Sequence, residues 1–395
     1  MKKILVINLG WEQEPLLDLI ASRNLDMYGV HYDAAYSRQY PFKDVLITDL
    51  RKLNAILDFA DQVQPDAVIS DQCDYSYFAQ ACIAERHGLP GPGLGQAQLS
   101  SNKYLQRLYC AKNDILVPDF ALCTSLDDVD AFLQQYGFPI ILKPVDNRGS
   151  FGVNKVENKE EISNAFFDAM ANSHARMILA EKFIQGTHVT VDGYAFTDIG
   201  PVSLSLASKK MLGSNRQVAM DIVYPGRIPR DVYDKTMQCN ASVCKTLGYR
   251  FGMTHCEYMI TGQKDVYLIE AANRGGGCFT SEVICPAVSG VSIVDQYLDD
   301  ALGLDTRYFE GRVQRNQVVL TFFSFGPGKI KSIRHAEKIA AMPGVLKFRI
   351  GVSPGDVIQP VTTDANRHGF IIFQAEEDIH NTVEKILETI QVEYV

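Results

Sequence analysis

Two glutamates stand on opposite arms of a hairpin that the sequence predicts. β-prone runs flank a short glycine-containing turn centred between Gln263 and Lys264. That register sets Glu257 directly across from Glu270, with Cβ atoms about 5 Å apart. A divalent cation would turn this repulsive pair into a ligand pair, and oxygen ligands suit Mg²⁺ or Mn²⁺. The alternative is a pair of glutamates that face solvent on an outer hairpin. The same register assigns the packing face to Tyr258, Ile260, Tyr267 and Ile269.

An arginine and three glycines follow the second glutamate at once. Arg274 comes four residues after Glu270 and precedes Gly275, Gly276 and Gly277. Glycine lacks a Cβ and so lets a ligand approach the backbone closely. An arginine beside a metal neutralises the charge that develops on a transferred phosphoryl group. The stretch therefore predicts phosphoryl transfer at this hairpin, with Arg274 as a catalytic residue.

A lysine ends a second β-prone run, and a glycine-bearing loop follows it. The run FPIILKP carries Lys143, and the loop extends from Asp146 to Gly152. An ammonium group beside backbone N–H groups that glycine leaves open is suited to holding phosphate. The Walker A pattern G-x-x-x-x-G-K-[ST] is absent. An ordinary turn between two strands is the alternative.

Two further groups of basic residues are candidates for binding anions. A Ser-Ser-Asn cap precedes a helix on which Lys103 and Arg107, four residues apart, share a face. The segment SLASKKMLGSNRQ contributes Lys209, Lys210 and Arg216, which can grip a substrate carboxylate or a γ-phosphate. For both groups the alternative is solvated surface charge.

The elements that must position these residues alternate between strands and helices at the N-terminus. The predicted strands are 4–7, 27–32, 45–47 and 67–70, and the predicted helices are 14–22, 54–64 and 75–87. This order indicates a mostly parallel sheet. Ligands bind beyond the carboxyl ends of such strands, so Trp11 and Glu12, and the segment 70–72, are expected at a substrate edge. No G-x-G-x-x-G is present, which argues against an NAD site.

A Pro/Gly-rich segment, 89–95, marks a boundary, and a small α/β unit follows from 117 to about 184. A unit that is joined to the rest at two points can move as a lid that excludes water. The predicted helices of this unit are 126–136 and 159–171, and its exit strand is 177–184. The last part of the chain, from about 312, shows only packing patterns. They predict strands at 317–323 and 369–374 and an amphipathic helix at 376–390, with Ile379, Val383, Ile386 and Leu387 on one face.

Composition sets the class of protein. The 395 residues allow two or three domains, and 46% hydrophobic with 22% charged residues is typical of a globular protein. A net charge of -9 argues against nucleic acid as the main partner. Nine scattered cysteines without a C-x-x-C fit reduced thiols in the cytoplasm. The apolar N-terminal run is a first strand rather than a signal peptide, and no window is long enough to predict a membrane span.

With these motifs in order, the chain resembles the ATP-grasp superfamily over essentially its whole length. The resemblance implies an α/β fold (with an α+β lid) in four parts: an N-terminal Rossmann-like pre-ATP-grasp domain, 1–98; a linker helix, 99–116; a mobile lid, 117–186; and a catalytic domain, 187–395, with a C-terminal lobe from about 311. It also implies ATP and Mg²⁺ (or Mn²⁺) as ligands. The residues that it assigns to ATP are Lys103, Lys143, Arg148, Gly149, Ser150, Gly152, Glu181, Lys182, Phe183, Ile184 and His188. Of these, the run from Glu181 to Ile184 would contact the adenine. Glu257 and Glu270 match the metal ligands and Arg274 the catalytic arginine.

Two positions depart from the family pattern. His188 stands where the family often has a carboxylate for the ATP ribose. Ala272 replaces the usual metal-binding asparagine, and Asn273 follows one place later. Either a register shift brings Asn273 to the metal, or a second Mg²⁺ is held differently.

The pattern is most similar to L-amino-acid (dipeptide) ligases and their biotin-carboxylase-like relatives. It implies an ATP-dependent carboxylate-amine ligase that forms an acyl phosphate and then an amide or peptide bond, with small-molecule carboxylate and amine substrates; a homodimer is compatible with it. No nucleic-acid or membrane partner is expected. The expected substrate residues are Trp11, Glu12, Lys209, Lys210, Arg216 and Gly276. One alternative is a bicarbonate-activating carboxylase or carbamoyl-phosphate-type enzyme, although no biotinyl A-M-K-M segment is present. The other is a nucleotide-binding regulator without turnover.

Overall fold

The computed structural model describes residues 1–37, 39–147, 149–212, 218–363, 366–374 and 379–395. Its N-terminal strands are β1 (Lys3–Ile7), β2 (Asp26–His31), β3 (Asp44–Ile47) and β4 (Ala67–Ser70), and its first helices are α1 (Glu14–Ser22), α2 (Ala34–Ser37), α3 (Leu53–Val63) and α4 (Asp74–His87). The strands form a parallel sheet in the order β3-β2-β1-β4, as the alternating pattern predicts. β1 and β4 are neighbours, so the loops that follow them meet at one edge.

Two helices, α5 (Leu94–Ser101) and α6 (Lys103–Ala111), connect this sheet to the next unit. Asn102 caps α6, because its side-chain Oδ1 accepts a hydrogen bond from the Leu105 N–H at 3.1 Å. The Lys103 N–H donates to the Val145 carbonyl at 2.8 Å. The first turn of α6 is thereby tied to the loop that follows the Lys143 strand.

The next unit is a four-stranded antiparallel sheet with two helices. Its elements are β5 (Phe120–Cys123), α7 (Leu126–Tyr136), β6 (Ile140–Pro144), β7 (Asn154–Val156), α8 (Lys159–Ala171) and β8 (Ile178–Lys182). The strand order is β5-β8-β6-β7. A capping box between Ser125 and Asp128 begins α7 at its predicted position.

An eight-stranded antiparallel sheet forms the centre of the molecule. Its strands are β9 (Thr187–Phe196), β10 (Gly200–Met211), β11 (Ala219–Tyr224), β12 (Gly252–Ile260), β13 (Val266–Ala272), β14 (Val318–Phe322), β16 (Val345–Ile350) and β18 (Gly369–Gln374). Their order is β13-β12-β9-β10-β11-β14-β18-β16. Helix α9 (Arg230–Thr246) covers the back face of the sheet over β9 and β12, where residues of both elements share a buried cluster. Glu257 and Glu270 lie on the opposite, front face.

The remaining elements are α10 (Cys285–Ser289), α11 (Ile293–Ala301), β15 (Gly328–Arg334), α12 (Ala336–Ala340), β17 (Val357–Ile358), α13 (Ile379–Thr389) and β19 (Gln391–Tyr394), with a π-helical turn at Thr280–Ile284. A small sheet in the order β17-β15-β19 completes the C-terminal part. In α13, Val383 and Ile386 are buried, whereas Leu387 is exposed. All nine cysteines are free thiols. No helix in the described part of the chain has an apolar run long enough to cross a membrane.

Candidate functional site

The hairpin of β12 and β13 sets Glu257 directly across from Glu270, which confirms the predicted register at this pair. The next pair, Cys256 with Ala271, continues that register. Both glutamates are partly exposed at the front of the sheet. Two carboxylates are therefore held on one face, close enough to share a cation.

A bulge separates this end of the hairpin from its turn. β13 carries one extra residue, Ile269, opposite the step from Glu257 to Tyr258. A bulge of this kind reverses the alternation of inward and outward side chains. Leu268 therefore pairs with Tyr258 and is buried with it, and the predicted packing of Tyr267 and Ile269 on that face is wrong.

A lysine contacts each glutamate. Lys209 Nζ lies 2.6 Å from Glu257 Oε1, and Lys103 Nζ lies 3.0 Å from Glu270 Oε1. His188, which the resemblance assigns to the ribose, instead has Nε2 3.3 Å from Glu257 Oε2. Burial would raise the pKa of Glu257, but Lys209 and His188 outweigh it and hold the pKa well below its usual range. Glu257 is thus a carboxylate, ready to accept a cation.

A buried ionic triad lies under the lysine-bearing strand. Arg107 Nε donates to Glu181 Oε1 at 2.7 Å, and Lys143 Nζ lies 2.7 Å from Glu181 Oε2. The Arg107 side chain is 0% exposed and that of Lys143 is 5% exposed. The guanidinium also donates to the Ile269 carbonyl at the bulge. Solvated surface charge, the alternative for Lys103 and Arg107, is therefore wrong.

The triad changes the pKa values of Glu181 and Lys143. It overcomes the effect of burial on Glu181, whereas for Lys143 the effect of burial prevails. Burial would raise the pKa of Glu181, but Arg107 and Lys143 outweigh it, so the pKa is lowered. For Lys143, burial lowers the pKa, Glu181 only partly compensates, and Arg107 and Lys103 lower it further, to about 8. Lys143 is consequently a charged group near neutral pH that loses its proton in mildly alkaline solution.

Several polar groups of the segment expected at the adenine, 181–184, already bind other parts of the protein. The carboxylate of Glu181 is taken up by the triad. The N–H of Lys182 donates to the Asp119 carbonyl at 2.9 Å, and that of Phe183 donates to the Pro139 carbonyl at 3.2 Å. Phe183 and Ile184 are half-buried where the chain leaves β8. The backbone donors of Lys182 and Phe183 are therefore engaged in holding the sheet.

The loop after Lys143 contacts the same lysine that touches Glu270. Lys103 Nζ donates to the Asn147 carbonyl at 2.7 Å, so one ammonium group joins the loop to the hairpin. Gly149 and Ser150 have φ values of 63° and 60°, and Gly152 has 72°. A Cβ on Gly152 would come within 2.8 Å of Asn172 Cβ, which explains the glycine there. Arg148 lies outside the described residues.

Arg274 is held at the front of the sheet by a partner from the N-terminal unit. Its Nε donates to Asp74 Oδ1 at 2.5 Å, and its Nη1 donates to the Gly275 carbonyl at 3.0 Å. Burial opposes its charge, but Asp74, and then Glu270, raise the pKa of the guanidinium further above its usual value. Asp74, at the start of α4, was not predicted, although the expected substrate edge at 70–72 ends only two residues before it.

Asn273 is not brought to the acidic pair. Its Nδ2 donates to the carbonyls of Phe251 at 3.0 Å and Met253 at 2.8 Å, near the start of β12. The bulge precedes Glu270, and pairing is regular from Glu270 to Ala272. The register shift that would have turned Asn273 toward the metal is therefore absent.

The expected substrate edge meets the glycine loop. Glu12 Oε1 accepts from the Cys278 N–H at 2.6 Å. The Trp11 ring packs against Phe279, with centroids 5.4 Å apart. A Cβ on Gly276 would lie 2.7 Å from His255 Nδ1, so this position has room only for glycine.

Of the two lysines in the described part of the basic segment, Lys209 lies at the front face and Lys210 does not. Lys210 has a 71% exposed side chain 3.6 Å from Asp221, because alternate residues of β10 face opposite ways. Arg216 lies outside the described residues.

The pair of His255 and Asp192 was not predicted from the sequence. His255 Nδ1 lies 2.6 Å from the buried Asp192, its neighbour across β9 and β12. Polar residues at every second place of β9 were the available signal.

The donor set suits a cation that arrives with phosphate. Within the described residues, no cluster of three or more His, Cys, Asp or Glu side chains forms a complete metal cage. Mg²⁺ usually takes one or two protein carboxylates and fills its octahedron with phosphate oxygens and water. Glu257 and Glu270 therefore fit a magnesium-nucleotide complex better than a structural metal site.

Comparison with known proteins gives two family matches. A model described as an ATP-grasp domain matches residues 136–282. A second, described as L-amino acid ligase C-terminal domain 2, matches residues 321–395. The first match contains Lys143, Glu181, Glu257, Glu270 and Arg274, and the second contains the C-terminal strands.

Individual relatives are distant. The L-arginine-specific L-amino acid ligase of Bacillus subtilis is 22% identical over 357 residues, which cover 88% of this chain and 84% of that protein. D-alanine–D-alanine ligase B of Chromobacterium violaceum is 26% identical over 206 residues, which cover 51% of this chain and 66% of that protein. Among solved structures, L-amino acid ligase from Bacillus licheniformis superposes with a TM-score of 0.85 at 18% identity, covering 100% of this chain and 99% of that one.

Proposed function

This chain belongs to the ATP-grasp superfamily and carries the C-terminal domain 2 of L-amino acid ligases, and on that premise we propose that it joins a carboxylate to an amine at the expense of ATP. A carboxylate oxygen of the first substrate attacks the γ-phosphorus of ATP, and the bond from that phosphorus to the β,γ-bridging oxygen breaks. The products of this step are an acyl phosphate and ADP. The amine nitrogen of the second substrate then attacks the acyl carbon, phosphate leaves, and the nitrogen loses a proton. The relatives make amino acids the first substrates to test.

The observation that carries this proposal is the pairing of two opposed glutamates with two lysines. Glu257 and Glu270 would hold Mg²⁺ together with phosphate oxygens. When bound, the ion would draw charge from the phosphates and orient them. Lys209 and Lys103 neutralise the glutamates in this structure, at 2.6 and 3.0 Å. Because a lysine ammonium group is a flexible point charge, both can turn to phosphate or substrate oxygens when the cation takes their place.

The basic side chains would bind different phosphate groups of the nucleotide. Lys103 and Lys143 would hold the α- and β-phosphates, helped by the backbone of the loop that begins at Asn147. Arg274, near Glu270, would bind the transferred phosphoryl group and then the acyl phosphate. Lys209 would contact the γ-phosphate or the substrate carboxylate. Rigid support for these groups comes from Glu181 and Asp74, which position Lys143 and Arg274.

The test is a screen for ADP release over pairs of amino acids, with products identified by mass spectrometry. We expect ADP and a dipeptide in equal amounts for at least one pair, with no requirement for bicarbonate. A dependence on bicarbonate, with a carboxylated or carbamoylated product, would replace the ligase proposal by the bicarbonate-activating one. ATP binding without ADP formation for any carboxylate and amine would favour a regulator.

A further inference from the structure

Two buried carboxyl groups, those of Asp71 and Glu282, join the N-terminal sheet to the glycine loop. Asp71 follows β4 and is 1% exposed, and Glu282, in the π-helical turn, is 9% exposed. Asp71 Oδ1 accepts from the Gly275 N–H at 2.9 Å, and Glu282 Oε1 accepts from Gln72 Nε2 at 2.6 Å. In the described part of the chain no donor reaches the other two oxygens, Asp71 Oδ2 and Glu282 Oε2, which are buried. Gln72, which follows Asp71, contacts Glu282, and a Cβ on Gly275 would overlap both Asp71 Oδ1 and the Oγ of Ser281, the residue before Glu282, so the two acidic residues lie side by side.

Two facing carboxylates in a buried site cannot both be charged without a compensating cation. Among the residues that the structure describes, the titratable groups beside the pair are Cys285 from α10 and Tyr297 from α11, and neither is a cation. The Glu12 backbone carbonyl, from the turn after β1, accepts from Gln72. The nearby cation, Arg274, is engaged by Asp74. A proton between Asp71 Oδ2 and Glu282 Oε2 satisfies both oxygens at once.

We propose that Asp71 and Glu282 share one proton, and that this protonated pair is a positioning device for the loop that carries Arg274 and Gly276. The positioning role rests on the proposed function, whereas the shared proton does not. Asp71 fixes the loop through the Gly275 N–H, and a Cβ at that glycine would overlap Asp71 and Ser281. Cys278 and Phe279, directly after the loop, have φ values of 54° and 59°. A backbone held in that region needs firm anchors.

Loss of the proton would weaken this anchor on the alkaline side. Burial, and then Asp71, raise the pKa of Glu282 well above its ordinary value. A carboxyl group whose pKa is raised by folding stabilises the folded state fully below the unfolded pKa, about 4.3 for glutamate. That stabilisation is lost as the pH rises through the folded pKa. The loop should therefore change its environment in alkaline solution.

The experiment compares the full-length wild type with Glu282→Gln. A glutamine amide can donate to Asp71 Oδ2 while its carbonyl still accepts from Gln72, so it imitates the protonated glutamate at every pH. Trp11 is the single tryptophan of the chain and packs against Phe279 beside the loop. Its fluorescence, titrated without substrates, reports the loop independently of turnover. ADP formation over the same pH range reports the positioning role.

We expect an alkaline fluorescence transition in the wild type that is absent in Glu282→Gln. With ATP kept saturating at every pH, so that the titration of Lys143 does not limit binding, we also expect a wild-type kcat that falls tenfold per pH unit above that transition, whereas the variant keeps kcat within about threefold across the range. The exposed Glu310→Gln should behave as wild type. Asp71→Asn, which keeps an oxygen for Gly275 and gains an amide donor, should match Glu282→Gln and serves if that variant does not fold.

Superimposable fluorescence titrations of the wild type and both variants would overturn the shared proton. A lost transition with an unchanged pH dependence of kcat would overturn the positioning role alone. Should the wild type form no ADP with any substrate pair, the proposed ligase function and with it the positioning role fail, while the fluorescence comparison still decides the shared proton.

Discussion

The buried ionic triad of Arg107, Glu181 and Lys143 leads to a prediction about stability: loss of a buried charge should destabilise the protein more than loss of an exposed one. Glu181→Gln removes one negative charge and leaves two cations, Arg107 and Lys143, in a site where the glutamate side chain is 3% exposed. Arginine cannot lose its proton in a protein. Lys143 can, since burial and neighbouring cations already lower its pKa to about 8.

The expected cost follows from these two responses. Removing one member of a buried ion pair destabilises a protein by about 3–5 kcal/mol, because the partner is left uncompensated. The pKa of Lys143, about 8, lies one unit above pH 7, so removing its proton at pH 7 costs only about 1.4 kcal/mol. The lysine will therefore deprotonate, and most of the loss will come from Arg107. We expect a loss of about 3–4 kcal/mol of unfolding free energy, with weaker ATP binding because the ammonium charge is gone.

A matched control exists on the same small sheet. Glu157 pairs with Lys155 at 2.5 Å, but its side chain is 61% exposed. Glu157→Gln makes the same chemical change in a pair that solvent screens, and we expect it to cost less than about 1 kcal/mol. Urea unfolding followed by circular dichroism, with ATP affinity by calorimetry, measures both effects. Equal stability of the two variants would refute the reasoning that buried charge supports Lys143.

Three further predictions concern the proposed reaction. Glu270→Ala should abolish ADP formation while the circular dichroism spectrum stays unchanged, and retained turnover would remove the metal assignment. Lys143→Ala should weaken ATP binding in calorimetry. In the wild type, ATP affinity should fall as the pH rises through about 8, where the lysine loses its charge, and the variant should lack that fall. Parallel pH profiles of the two proteins would contradict the role of Lys143 in holding phosphate. Arg274→Ala should lower kcat by about 10²–10³ with little change in ATP affinity, because the arginine acts on charge that develops during transfer; an unchanged kcat would show that Asp74 holds it for structural reasons only.

Local signals were sufficient for much of the fold. The helices α1, α7 and α8 begin and end at the predicted residues, because apolar periodicity, and in α7 a capping box, are encoded within a few residues of each helix. The pairing of Glu257 with Glu270 was predicted correctly, but the pairs next to the turn are shifted by one residue, and the unpredicted bulge at Ile269 restores the predicted register at the glutamates. The division into four parts stays a prediction, as do the roles of the site residues.

Other features depend on contacts that are distant in sequence. Arg107 meets Glu181 across 74 residues, and nothing near Arg107 distinguishes it from a surface residue. Helix α9 was not predicted, since its threonine, asparagine and valine residues have weak helix propensity. Its buried positions have helical spacing but include two polar residues, which hides the apolar stripe; they are Val232, Tyr233, Thr236, Asn240, Val243 and Cys244. Tertiary packing decides such segments.

The bulge at Ile269 decides which face of the sheet Glu270 occupies. Val266, Leu268 and Glu270 are spaced by two, so a regular strand would direct all three to one side, yet the first two are buried against the back of the sheet and the third serves the front. Removal of Ile269 would make Leu268 and Glu270 neighbours, so the carboxylate would stay at the front, but the carbonyl that accepts from Arg107 would be lost. A deletion at this point should thus disturb the buried ionic triad and leave the pairing of the two glutamates in place.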